Sequence, residues 1–135
     1  MPVRVWSHIC DYAAIDASGK PTIVGEFDRI YAPAFPMRHP FFFVISKWSG
    51  SIGETFTHRV RVSSPNRQVL AESAETTITM RGEGESDSNH IAVDAFMMLE
   101  FPKSGEYSID ILINKLPVHV LRLAVSQAQP KLQTP

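Results

Sequence analysis

His8 and Cys10 lie two residues apart near the start of the chain, so a strand would carry both on one face. An imidazole nitrogen and a thiolate at that spacing begin a zinc or copper site, which needs a third and fourth ligand from elsewhere. His58, His90 and His119 are the available donors, and neither Cys-x-x-Cys nor His-x-x-x-His accompanies them. A buried cysteine beside a hydrogen-bonded histidine accounts for the same residues with fewer requirements, so His8 and Cys10 are weak metal candidates and no metal is expected. Asp11 and Asp28, the latter followed by Arg29, form a second set, since paired carboxylates in a dry pocket do acid–base work. No Gly-x-Ser-x-Gly or His-Glu-x-x-His motif supports them, and no catalytic residue is assigned. Glu83, Glu85 and Asp87 are too sparse for a calcium loop and read as a solvated polar segment.

Gly19-Lys20 invites comparison with a phosphate-binding loop. That loop requires glycine at position 14 and a hydroxyl residue at 21, where this chain has Ala14 and Pro21. "TIVGEF" then continues as a strand, leaving no helix N-terminus to hold an anion. Ser18-Gly19 therefore reads as a hairpin turn, with Lys20 a solvated flank.

The elements that would position these residues are strands. Phe56, His58, Val60 and Val62 alternate with Thr57, Arg59 and Arg61; Tyr107, Ile109, Ile111 and Ile113 alternate with Ser108, Asp110 and Asn114. Ile91, Val93, Ala95, Met97, Leu99 and Phe101 likewise predict one shared face. Strands are expected near 3–12, 21–31, 41–48, 54–63, 68–80, 90–101, 106–114 and 118–126, with turns at Ser18-Gly19, Ser49-Gly50, Pro65-Asn66, Ser104-Gly105 and Leu116-Pro117. The fold expected is an all-β antiparallel two-sheet sandwich of about eight strands with immunoglobulin-like features. It forms a single domain over residues 1–127, with 128–135 a flexible tail. "APAFPMRHP", residues 32–40, is expected to cross between sheets, and 81–90 to be a mobile loop. Tyr107, following a glycine turn, matches a tyrosine corner.

Composition removes several function classes. A net charge of -1 with no cluster of Lys and Arg excludes a nucleic-acid footprint. One cysteine excludes an intramolecular disulfide, and the polar N-terminal residues resemble neither a signal peptide nor a membrane span, so a cytoplasmic protein is expected. No cofactor motif is present, and none is expected.

Cys10-Asp11-Tyr12, Gly19-Lys20, Gly25, Phe27-Asp28, Phe35-Pro36 and Pro40, with the closing "GEYSIDILINKLPVHVLRLAV", resemble a family of small bacterial proteins known only as a domain of unknown function. The resemblance covers most of the chain. It implies a small cytoplasmic β-sandwich and no particular activity.

"FFFVISKW" breaks the alternation. Phe41, Phe42 and Phe43 in sequence must send at least one ring away from the core. No amphipathic helix is available to cover it, so the expected role is a non-catalytic binding or assembly module working through an apolar sheet face and the proline-rich loop. Its partner is a second copy in a symmetric homodimer or another protein, and the interface is built from Phe41, Phe42, Phe43, Trp6 and Trp48. Two alternatives are a small metal-dependent or acid–base enzyme using His8, Cys10, Asp11 and Asp28, and a small-ligand or carbohydrate binder using Trp6 or Trp48.

Overall fold

Period-two alternation sets the architecture of this chain. The structure, a computed structural model, describes residues 1–82 and 87–128. Its elements are β1 (Val3–Ile15), β2 (Pro21–Glu26), β3 (Arg29–Ala32), β4 (Met37–Ser51), β5 (Thr55–Ser63), β6 (Val69–Glu72), β7 (Thr76–Thr79), β8 (Asp87–Phe101), β9 (Gly105–Ile113) and β10 (Leu116–Gln127). They form a four-stranded sheet in the order β2-β1-β4-β8 and a second sheet in the order β3-β10-β9-β5-β6, with β7 also paired to β5. The chain is an all-β two-sheet sandwich, as expected, with ten strands among the described residues rather than eight. One pairing departs from the antiparallel expectation, because β3 runs parallel to β10.

The extra strands come from interruptions within two expected runs. Residues 21–31 divide at Phe27-Asp28, where Phe27 N–H bonds the Ile9 carbonyl in one sheet and the Asp28 carbonyl accepts Ala124 N–H in the other, both at 2.9 Å. The crossing between sheets therefore begins before the proline-rich segment. Residues 68–80 divide at Ser73, whose hydroxyl takes the Val60 N–H at 2.8 Å in place of a ladder carbonyl. The last hairpin turns at Asn114-Lys115, both with positive φ (51° and 68°), rather than at Leu116-Pro117, because paired left-handed residues match the twist of a tight hairpin. β4 runs on to Ser51, past the turn expected at Ser49-Gly50. Of residues 81–90, 83–86 lie outside the described residues, while Asp87 already opens β8. The expected tail lies outside them from 129 onward; Ala128 still bonds the Ala32 carbonyl.

The core lies between the sheets. Phe56, Val60 and Val62 of β5 and Tyr107, Ile109, Ile111 and Ile113 of β9 face it, as their alternation requires. Across from them sit Ile9, Phe42, Val44, Trp48, Phe96 and Phe101. The face expected for β8 is corrected: Ala92 and Phe96 are buried, Met97 and Met98 are both exposed, and Leu99 and Phe101 turn inward. The shift has a local cause. The β4–β8 ladder pairs His39 with Leu99 and Phe41 with Met97 but skips Pro40 and Met98. Pro40 has no N–H to donate, and Met98 adopts φ 53° opposite it. Both strands kink there, and the inward face changes parity in each.

Tyr107 is fully buried; its hydroxyl donates to the Lys103 carbonyl at 2.6 Å and accepts from Lys103 N–H at 3.3 Å. That contact ties the β8–β9 crossover to the core as a tyrosine corner does. Tyr107→Phe keeps the ring and removes the part-buried hydrogen bond to the Lys103 carbonyl. The expected destabilisation is about 1–3 kcal/mol, read from denaturant midpoints; a change within about 0.5 kcal/mol would place the hydroxyl in water.

Candidate functional site

The four-stranded sheet opens at one end. β1 pairs with β4 only as far as Cys10 and Phe43, although β1 continues to Ile15 and β4 begins at Met37. Beyond that point β1 stays with β2, in a hairpin closed at Asp16. The Asp16 carboxylate accepts N–H groups of Ser18 and Lys20, each at 2.9 Å, and Gly19 takes φ 84°. These donors, the Ser18 hydroxyl foremost, hold the Asp16 carboxyl below its ordinary range. Gly19-Lys20 thus turns a chain and is not part of the opening itself.

On the inner side of the opening lies a cleft of about 690 Å³, within the range of ligand sites. Phe27, Ile30, Tyr31 and Met37 supply its apolar lining, and Asp11, Arg29, Arg38 and His39 its polar groups. Gly25 (φ 65°) lies directly on the Asp11 carboxylate, where any Cβ would collide with it. Burial holds the His39 imidazole below its usual pKa, partly offset by the charge of Asp11. Pro33, from the proline-rich segment, closes one wall, and Phe35 packs on the core, so that segment does not cover the outer face. Several residues that carry the family resemblance, Asp11, Gly25, Phe27 and Pro40, gather around this opening.

The outer side is apolar. Cys10 and Ile45 are buried beneath Trp6, Phe43, Ile91 and Val93, so the sheet partly covers itself. Tyr12, Phe43 and Phe41 form a row of edge-to-face rings with centroids 5.4 and 6.1 Å apart. Tyr12 is 48% exposed, Phe41 46%, and Met97, paired in register with Phe41, 73%. Phe42 and Trp48 are corrected: at 0% and 1% exposure both are core residues, and the Trp48 N–H bonds Ser46 Oγ at 2.8 Å. A Trp48 already satisfied inside the sandwich offers no platform to a ligand or partner. Of the expected interface residues, Phe41, Phe43 and Trp6 share the outer face.

The other sequence candidates separate. His8 Nδ1 is hydrogen-bonded to the Glu26 carboxylate, and the Cys10 thiol, pushed up in pKa by burial, faces the Phe43 carbonyl at 3.8 Å. His58, His90 and His119 do not join them; among the described residues no three His, Cys, Asp or Glu side chains are placed to share a metal ion. Asp11 lines the cleft, whereas Asp28 lines a separate depression with Glu26 and Phe27, so no paired-carboxylate site is assembled. Glu83 and Glu85 lie outside the described residues.

Sequence reading missed a buried polar pair. His58 Nδ1 and Asp94 Oδ2 face each other at 3.8 Å in the core, too far for a hydrogen bond. His58 Nε2 and Asp94 Oδ2 have no hydrogen-bond partner. Burial, aided by the charge His90 would carry, lowers His58 to about 4. Burial raises Asp94 to about 6, against an opposing hydrogen bond from Ser73. The signal was available: His58 stood among inward residues of its strand, but nothing in the sequence named Asp94 as its neighbour.

Taken together, these features define a β-sandwich of two unequal sheets, the smaller one split at one end between an apolar outer face and a mixed inner cleft. A family described as one of unknown function, DUF6941, matches residues 5–126, and the chain belongs to it. Comparison with curated proteins finds no match.

The buried pair makes stability depend on pH in opposite senses. His58, lowered from 6.5 to about 4, withdraws stability as pH falls through that interval; Asp94, raised from 3.8 to about 6, withdraws it as pH rises through its own. Asp94→Asn removes only the second effect. The variant is expected to gain stability above pH 6 and to lose that gain below pH 4, as measured by denaturant midpoints across pH. The gain corresponds to about 3 kcal/mol at most. An equal gain at both ends of the range would show that ionisation of Asp94 is not its cause.

Proposed function

We propose that this chain is a non-catalytic assembly module that pairs with a second copy of itself through the outer face of its four-stranded sheet. One observation carries the reading: in the row Tyr12–Phe43–Phe41, with Met97 beside it, the half-buried Phe43 ring joins side chains of Tyr12, Phe41 and Met97 that are exposed. Contiguous apolar surface of this kind marks interaction sites. The patch centre is uncharged, while Lys47, Glu26 and His8 lie toward its margin, the distribution of an apolar interface core with a polar rim. A patch without a dominant charge suits contact with its own copy about a two-fold axis, where like meets like. The single thiol, buried and unpaired, fits a reducing cytoplasm.

Sedimentation of the unmodified protein at micromolar concentration is expected to give a dimer. Phe41→Asp should give a monomer that keeps its circular dichroism and cooperative unfolding. Phe42→Asp should instead unfold the chain, because it buries a carboxylate in the core. A monomeric unmodified protein would overturn the proposal, as would a Phe41→Asp variant that folds and remains a dimer.

A further inference from the structure

The cleft at the split end of the sheet has an apolar floor and a charged rim. Ile30 is buried, and Phe27 and Met37 pack on the core from half-buried positions, so the floor is continuous with the interior. Arg29, Tyr31 and Arg38 line the same cleft and are exposed. Its volume of about 690 Å³, bounded by residues of β1, β2, β3 and β4, suits a small molecule, since such sites join an apolar lining to a few placed polar groups.

The two arginines are the only permanent cations of that lining among the described residues, because burial holds the His39 imidazole below its usual pKa. Neither is held by a hydrogen bond to a carboxylate among those residues. Arg29 meets the neutral Ser126 hydroxyl at 3.3 Å and lies 6.0 Å from the centre of the Tyr31 ring. Glu100 approaches Arg38 only to 3.9 Å, too far for a hydrogen bond, and both side chains are at least half exposed, so water screens the pair. The acids of the lining are placed elsewhere. Glu26 bonds His8, and the Asp11 carboxylate lies against Gly25, beyond ion-pairing distance of either arginine.

We propose that this cleft binds a small carboxylic acid with an apolar body, its carboxylate at Arg29 and Arg38 and its body on Phe27, Ile30 and Met37. Guanidinium groups offer paired N–H donors that match a carboxylate, and a charge-assisted bond there replaces only weak contacts. Asp11 sets the orientation by repulsion, because a carboxylate turned toward β1 would meet a like charge. Burial of the apolar body supplies affinity, and the rim supplies the preference for an acid. The site is separate from the outer aromatic face and does not depend on self-association.

The test titrates isotope-labelled full-length protein with phenylpropanoate and with octanoate, each beside its primary amide and its amine, and follows backbone amide resonances. At least one acid is expected to shift the signals of Gly25, Ile30 and His39 saturably, and its amide to bind about tenfold more weakly. Arg29→Gln with Arg38→Gln, both exposed positions, should weaken binding of the acid to the level of its amide and leave the affinity of the amide unchanged. Absence of saturable shifts from both acids up to about 10 mM would overturn the proposal. So would an amide or amine that binds as tightly as its acid, shifts confined to residues outside the cleft, or a double variant that binds acid as before. Equal loss for acid and amide in that variant would also overturn it, since the arginines would then only shape the cleft. The readout is occupancy of the cleft, so a monomeric protein leaves this result intact, and a dimer that binds neither acid leaves the self-association reading intact.

Discussion

Proline cannot donate a backbone hydrogen bond, and the geometry of the four-stranded sheet follows from where Pro40 places that gap. The β4–β8 ladder steps over it with Met98 in the left-handed region, and the inward side chains of both strands change parity at that point. Phe42, Val44 and Trp48 serve the core on one side of the kink; Met37, Leu99 and Phe101 serve it on the other. The same kink leaves Phe41 beside the exposed Met97 and Met98 on the outer surface. Just past it β4 parts from β1, and the cleft occupies the space between them. One missing N–H thus stands beside both the outer apolar patch and the inner opening.

The interior is less uniformly apolar than a sandwich of this size needs. Trp48 and Tyr107 each have their polar atom satisfied, by Ser46 and by the Lys103 main chain, so their burial stabilises without an orphaned group. His58 and Asp94 differ, since each leaves an atom unpartnered and burial favours the neutral form of both. Asp94 sits on β8, a long edge strand, and an inward-pointing acid there discourages the strand from recruiting another chain. Stability given up at Asp94 is consistent with a sheet that must leave that edge unpaired while it offers apolar surface elsewhere.

Much of the fold was legible in the residues. β5 and β9 lie centrally in a sheet, each with one face toward the core, so their period of two survives in the sequence unmixed with other demands. Tyr107 was readable from its glycine turn and from the inward residue two positions on. The outer role of Phe41 and Phe43 was only half legible, because three consecutive phenylalanines show that both faces are apolar and nothing about which ring takes which. Trp48, chosen as a surface residue by type alone, proved to be core. The cleft was not readable: Asp11, Arg29 and His39 acquire a common site only when β1, β3 and β4 diverge around it.

The sequence by itself determined the all-β character, the hairpin at Ser18-Gly19, the inward faces of β5 and β9, and the presence of an apolar surplus in residues 41–45. Each is a local property, set by side-chain alternation or turn chemistry within a few residues. Tertiary structure alone decided the parity of the phenylalanine run, the division of residues 21–31 between two sheets, the approach of His58 to Asp94, and the parting of β1 from β4. Those outcomes depend on which backbone groups meet across the fold, and a missing donor at Pro40 or a hydroxyl substituted into a ladder at Ser73 has no meaning until the facing strand is in place.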